Sequence, residues 1–171
     1  MDRRRTVWLV GMMGSGKSSV GRALATMSGV PFVDTDQLVE VALGMSVADV
    51  WDQHGEEAFR DAEQSVIEEI GVTQAVVAAG GGAVIRPVNV ETMRRSGVVV
   101  WLTAEPGELA RRVGSEAGRP LLRAVRRETT LAELLAERST SYQAAAHHTV
   151  ATEGRTIDEV AEEVEHLWSE S

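Results

Sequence analysis

Lys17 is the only lysine among the chain's 17 basic residues, and it stands in the run Gly11-Met-Met-Gly14-Ser-Gly16-Lys17-Ser18. Glycines at this spacing let a backbone turn tightly and aim successive N–H groups inward, at the positive end of a following helix, where they hold phosphate oxygens. The apolar run Thr6–Val10 leads into the loop and a helix-compatible stretch, Ser18–Met27, leaves it. Strand, glycine loop and helix in that order are what a Walker A phosphate loop requires. In such a loop Lys17 reaches the β- and γ-phosphates, the Ser18 hydroxyl ligates Mg²⁺, and Gly14, Ser15, Gly16 and Ser19 complete the nucleotide-binding set. A chance match of the four fixed positions is expected in well under about 1% of unrelated chains of this length.

Other residues extend that chemistry. Asp34 and Asp36 end the apolar segment Phe32-Val-Asp-Thr-Asp36. Residues two apart in an extended segment point the same way, and strand ends of a parallel sheet open into one crevice. Beside a triphosphate, one carboxylate can order Mg²⁺ or its water and the other can bind an incoming hydroxyl and accept its proton. The alternative is a polar strand end with an Asp capping the helix that begins near Gln37. Gly80-Gly81-Gly82 follows the apolar run Ala75–Ala79, so the backbone there is read as closely approached, most simply by a ligand. Arg60 has Glu56, Glu57 and Glu63 at i−4, i−3 and i+3. By spacing alone a solvated helix face bearing ion pairs is a slightly better account of this than a site. The four histidines show no metal-ligand spacing and are read as structural or surface groups. Trp8, Trp51, Trp101 and Trp168 are read as core or helix-packing residues, and Met12 and Met13 carry no assigned role.

These groups need a scaffold. Beyond Thr6–Val10, short apolar strand candidates lie at Val30–Val33, Ala75–Ala79, Val98–Leu102 and, more weakly, His148–Ala151. They lack alternation, as strands buried on both faces do. Helical patterns fall between them at Gln37–Leu43, Glu56–Ile70, Asn89–Arg95, Glu105–Arg112, Ala124–Ala146 and Thr156–Trp168. Ser46-Val-Ala-Asp49 and Thr156-Ile-Asp-Glu159 carry capping-box signals. Alternating strands and helices predict a three-layer α/β domain. The glycine-rich polar stretch from Val113 to Pro120 is either a lid that closes over the transferring phosphate or an ordinary surface loop.

The 171 residues suit one domain, 1–171. A net charge of −9 disfavours nucleic acid and anionic membrane as partners, and no apolar run approaches the roughly 20 residues of a bilayer span. The absence of cysteine excludes disulfides and thiol chemistry. A cytoplasmic protein is expected.

Taken in order, several segments resemble the shikimate kinase family over essentially the whole chain. They are the loop from Gly11 to Arg22, Phe32-Val-Asp-Thr-Asp36, Gly55-Glu-Glu-Ala-Phe59-Arg60-Asp-Ala-Glu63, Gly80-Gly-Gly82, Arg119-Pro-Leu-Leu122 and Arg138-Ser-Thr-Ser-Tyr142. The phosphate loop is common to many families, whereas the ordered combination is far more specific. The resemblance implies a P-loop kinase fold with a five-stranded parallel sheet in the order 2-3-1-4-5, ATP as phosphoryl donor, Mg²⁺, shikimate as acceptor and a monomeric state. It implies that Asp36, Arg60, Gly81 and Arg138 bind shikimate, the two arginines gripping its carboxylate and Glu63 orienting Arg60. It also implies that Asp34 joins Ser18 at the metal, and that Arg119 closes over the transferring phosphate from a lid around 113–124. Arg111 or Arg112, and Arg155, would lie near the adenine. The acceptor would be held by a helical region around 34–63, with Lys17, Asp36 and Arg119 as the catalytic set.

Two departures stand out. The usual ending RxPLY is here Arg138-Ser-Thr-Ser-Tyr142, without the proline that would stiffen it, and Gly118 stands where a second basic lid residue is common. Rival readings are a gluconate kinase-like or nucleoside monophosphate kinase-like enzyme, or a weakly catalytic ATP-binding regulator. A GTPase is excluded, because the sole lysine is Lys17 and the sole asparagine Asn89, so no Asn-Lys-x-Asp pattern can occur.

Overall fold

A computed structural model describes residues 5–117 and 122–171. Its centre is strand β1 (Thr6–Val10), buried at every position. β1 pairs in parallel with β3 (Val76–Ala78) on one side and β4 (Gly97–Thr103) on the other. β2 (Phe32–Asp34) and β5 (His148–Ala151) pair in parallel at the edges, giving the order β2-β3-β1-β4-β5. Side chains alternate across β1. Trp8 and Val10 join Phe59, Ile67, Met93 and Tyr142 in one core, while Val7 and Leu9 join Leu24, Val160, Val164 and Trp168 in another. Two cores on opposite faces of one sheet make the three layers that the alternating pattern predicts.

The helices are α1 (Lys17–Ser28), α2 (Thr35–Leu43), α3 (Val47–Ile70), α4 (Pro87–Ser96), α5 (Pro106–Ala117), α6 (Leu122–Ala145) and α7 (Ile157–Ser169). Several bounds differ from expectation for identifiable reasons. Val30 is not in β2, because the left-handed Gly29 closes α1 and the Val30 N–H bonds back to the Ala25 carbonyl. α3 starts at Val47, with Ser46 as its cap, rather than at Glu56. Gly55 interrupts it at φ 82°, ψ 173°, a conformation reserved for glycine, so the segment bends there and Val47–His54 leans separately over the sheet end. A short 3-10 turn at Ala83–Ile85, absent from the sequence reading, ends the glycine run.

The stretch expected to leave its helix at Val113 instead stays helical to Ala117, because no proline intervenes and one interior glycine lowers helix stability by only about 1 kcal/mol. α6 begins at Leu122. Gly118, Arg119 and Pro120, including the proposed lid arginine, lie outside the described residues.

Candidate active site

The carboxyl ends of β1, β2, β3 and β5 open into one cleft of about 1000 Å³. Its floor is the loop between β1 and α1. Gly14 and Gly16 adopt φ 80° and 94°, and Gly16 occupies the N-cap of α1 with no side chain capping the helix, so the first-turn N–H groups face the cleft without a protein carboxylate. The Ser15 hydroxyl is buried and makes no hydrogen bond among the described residues. Lys17 Nζ donates to the Gly11 and Met12 carbonyls, each at 2.8 Å. Burial lowers its pKa to about 8, against the opposing pull of Asp36 and Asp34.

Asp34 joins two tasks that the sequence left as alternatives. One carboxylate oxygen caps α2 by accepting from the Asp36 N–H at 3.0 Å, and the other accepts from Ser18 Oγ at 3.1 Å. Ser18, Asp34 and Asp36 therefore share one wall. Burial, then the neighbouring Asp34 carboxylate, raises the Asp36 pKa, with Lys17 and Arg60 pulling the other way.

Arg60 is not on a solvated face. It is 5% exposed, and Nη1 donates at 2.7 Å to Glu63, which is fully buried. Glu56 reaches Arg60 Nε at only 3.5 Å. Burial raises the Glu63 pKa, while the hydrogen bond and charge of Arg60 lower it. The glycine run explains how such groups fit. A Cβ on Gly80 would sit 2.6 Å from Glu63 Oε1 and 2.7 Å from Asp36 Oδ1, and one on Gly82 would fall inside the Arg60 guanidinium. The close approach inferred from three glycines is thus made first by the protein's own charged side chains. Gly81 differs, since its Cα side is open to the cleft with Arg138 Nη1 next to it, 3.6 Å from where a Cβ would lie.

The third wall carries Arg111, Arg112 and Arg155. Glu108 binds Arg111 at 2.6 and 2.8 Å and Arg112 at 2.8 Å, which holds its own pKa down to about 2. Arg112 also donates to the Gly14 carbonyl and to Thr152, tying α5 to the phosphate loop. Arg155 donates to the Ala151 and Glu159 carbonyls and pairs with Glu163. In-plane donors committed in this way leave guanidinium faces available for stacking on a base. Every described site residue predicted from sequence lines this cleft, Gly14, Ser15, Gly16 and Ser19 included.

The shikimate kinase family model matches residues 13–168. The chain belongs to the shikimate kinase family. The shikimate kinase of Caldanaerobacter subterraneus subsp. tengcongensis is 42% identical over 161 residues, covering 94% of each chain. That of Symbiobacterium thermophilum is 45% identical over 159 residues, covering 91% of each. A solved shikimate kinase from Acinetobacter baumannii, in complex with shikimate, superposes with a TM-score of 0.88 at 33% identity, covering 97% of this chain and 93% of that one. Membership in this family makes the chain an ATP-dependent kinase, a phosphotransferase with the P-loop kinase fold.

Four participants escaped the sequence reading of this family member. Trp51 packs on Phe59 at 5.7 Å as expected, but it is also 39% exposed, lines the cleft and lies 5.8 Å from the Arg60 guanidinium. The Ser46 cap was the available signal, because a helix from Val47 puts Val47 and Trp51 one turn apart on the same cleft-facing side. Glu108 holds two cleft arginines, and its i+3 and i+4 spacing to them was legible. Thr35 donates no visible pattern in sequence, but its buried hydroxyl accepts from the Gly80 N–H at 2.9 Å. Tyr142 is fully buried with its hydroxyl on the Gly81 carbonyl. Of the tryptophans, Trp8, Trp101 and Trp168 are packed as expected. His147 is structural too: its Nδ1 accepts from the Val99 N–H, and burial lowers its pKa.

Proposed function

We propose that the chain transfers the γ-phosphoryl group of ATP to the 3-hydroxyl of shikimate, giving shikimate 3-phosphate and ADP. The observation that carries this is the pair of arginines on the acceptor side of the cleft: Arg60, buried on Glu63, and Arg138, beside Gly81, within reach of the wall that holds Asp36. Rigid guanidinium forks suit a planar carboxylate, and an acidic protein must supply such charge locally. A gluconate kinase-like or nucleotide kinase-like acceptor also carries an anion that arginines can bind, so it is the match to the shikimate kinase family over most of the chain that favours shikimate over these rivals.

The chain's residues divide the reaction. The loop N–H groups, the α1 terminus and Lys17 hold the β- and γ-phosphates and offset charge as the phosphoryl group moves. Arg60, Arg138 and Gly81 bind the acid and set the distance of its ring from the loop. Asp36, with its raised pKa, binds the attacking hydroxyl and takes its proton as the bond to phosphorus forms. Arg111, Arg112 and Arg155 face the base of the nucleotide. Ser18 and Asp34 fit Mg²⁺, since they offer one hydroxyl and one carboxylate, the sparse oxygen set of an ion that takes its remaining ligands from phosphates and water. Bound there, the ion would supply positive charge that offsets the phosphates' negative charge during transfer.

In this reading the whole chain, 1–171, is one kinase domain, with an acceptor-binding region around 34–63 and a lid around 113–124 that carries Arg119. It works in the cytoplasm as a monomer, on small molecules and not on nucleic acid or membrane. The net charge of −9 supports the exclusion of nucleic acid and anionic membrane, and among the described residues no helix is long and apolar enough to cross a membrane. Purified protein with ATP, Mg²⁺ and a panel of shikimate, gluconate, other sugar acids and nucleoside monophosphates tests the assignment. Acceptor-dependent ADP release is expected with shikimate. Transfer to gluconate or a nucleotide with none to shikimate overturns it.

A further inference from the structure

Tyr142 is the only tyrosine in the chain, and it joins three parts of the site. It lies one turn after Arg138 on α6, so the two side chains share a face. The Tyr142 ring is buried and stacked on Trp101, with centroids 5.5 Å apart. Its hydroxyl donates to the Gly81 carbonyl and rests 3.6 Å from Met12 Sδ in the phosphate loop, with the Arg138 charge close enough to act on it. The middle glycine is therefore fixed at its carbonyl by Tyr142 and approached at its Cα by the Arg138 guanidinium. One residue earlier, the Gly80 N–H is fixed by Thr35 Oγ1. The proline missing from the segment after Arg138 is no loss of stiffness here, because 138–142 lies inside continuous α6.

We infer that Tyr142 is a positioning residue that sets the Arg138 guanidinium against the acceptor's carboxylate, by fixing the carbonyl of Gly81, beside which that guanidinium lies, and by presenting its own oxygen one turn along the same face of α6. The inference rests on the proposed carboxylate-bearing acceptor. A phenolic oxygen that already donates to a carbonyl has only lone pairs left to offer, so it orients a cation and cannot orient an anion. With this anchor Arg138 loses rotamer freedom before the acid arrives, and binding no longer has to supply that ordering.

Tyr142→Phe removes the hydroxyl and keeps the ring stack. The expected result is a fall of about 10- to 30-fold in kcat/KM for the acceptor, carried mainly by KM, with ATP affinity unchanged. In an Arg138→Ala background the same substitution should lower kcat/KM by less than about twofold, since a residue acting through Arg138 has nothing left to position. Val164→Ala, in the core on the opposite face of the sheet, should lower Tm without changing acceptor kcat/KM, and so calibrates simple destabilisation. Full additivity of the Tyr142 and Arg138 changes, or unaltered acceptor kinetics in Tyr142→Phe, overturns the inference. If Tyr142→Phe does not fold, growth on 3-fluorotyrosine labels this residue alone. Its ¹⁹F resonance should shift when shikimate is added to wild type and not when it is added to Arg138→Ala, and a resonance indifferent to shikimate in wild type overturns the inference. All measurements use whichever acid the wild type phosphorylates in the acceptor panel, so failure of shikimate as substrate is read separately from failure of Tyr142 as its positioner.

Discussion

Lys17 makes the nucleotide site sensitive to pH in a way its sequence motif does not announce. In the protein alone, burial lowers its pKa from 10.5 to about 8, despite the nearby Asp36 and Asp34 carboxylates. Phosphate oxygens brought against Nζ favour the charged form, so nucleotide binding must raise that pKa again. Binding therefore takes up a proton once the pH exceeds about 8, and apparent affinity scales with the fraction of Lys17 still protonated. The dissociation constant should be almost flat to pH 7.5, then rise about tenfold by pH 9 and about twentyfold by pH 9.3. The terminal phosphate of the nucleotide is already ionised over this range, since phosphate monoesters titrate near pH 6. Titration calorimetry of ATP between pH 7.5 and 9.3, in two buffers of different ionisation enthalpy, reads both the affinity and the proton uptake. Lys17→Ala should bind more weakly throughout and lose the dependence. The sign for stability runs the other way: between pH 8 and 10.5 the unfolded chain holds the Lys17 proton and the folded chain does not, so this residue's contribution to stability rises with pH. A wild-type dissociation constant that stays flat through pH 9.3, with no proton uptake, would refute the argument.

Arg60→Lys keeps the charge but loses the fork. Acceptor kcat/KM should drop about 30- to 150-fold while ATP affinity measured without acceptor stays near wild type, and steady-state kinetics with a parallel ATP titration separates the two. Gly82→Ala places a Cβ inside the Arg60 guanidinium, so it should reduce acceptor efficiency by at least about tenfold through the same residue. An unchanged acceptor KM in that variant would mean that Arg60 does not meet the acceptor. Asp34→Asn loses one carboxylate charge beside Ser18 but retains an oxygen to cap α2. It should raise the Mg²⁺ concentration needed for half-maximal turnover with little change in Tm, and an unaltered Mg²⁺ dependence would remove Asp34 from the metal's shell.

How far the sequence could be read depended on whether a residue's partners were near it along the chain. The phosphate loop, the Thr156 capping box and the apolar strands were legible because their determinants are local, and β1 and β5 emerged as expected, whereas the sheet order was available only from the family resemblance. Arg60 was not legible from spacing. An i+3 carboxylate on a helix describes a surface ion pair worth a few tenths of a kcal/mol as readily as it describes a buried pair. What separates the two is burial, and burial of Arg60 and Glu63 comes from the glycine run more than 15 residues later in the chain. Side chains on Gly80 and Gly82 would occupy the space that Glu63, Asp36 and Arg60 fill. Breaking such a buried pair by removing one partner typically costs about 3–5 kcal/mol, an order of magnitude beyond the surface case. The same non-local logic hides Tyr142, whose role depends on Gly81 and Met12, 61 and 130 residues away. Proline at position 140, two after Arg138, would have suggested a rigid segment, and Thr140 in its place suggested a loose one. The rigidity is instead supplied by helix α6 and a hydroxyl anchored on another loop, a contact that no local window of sequence contains.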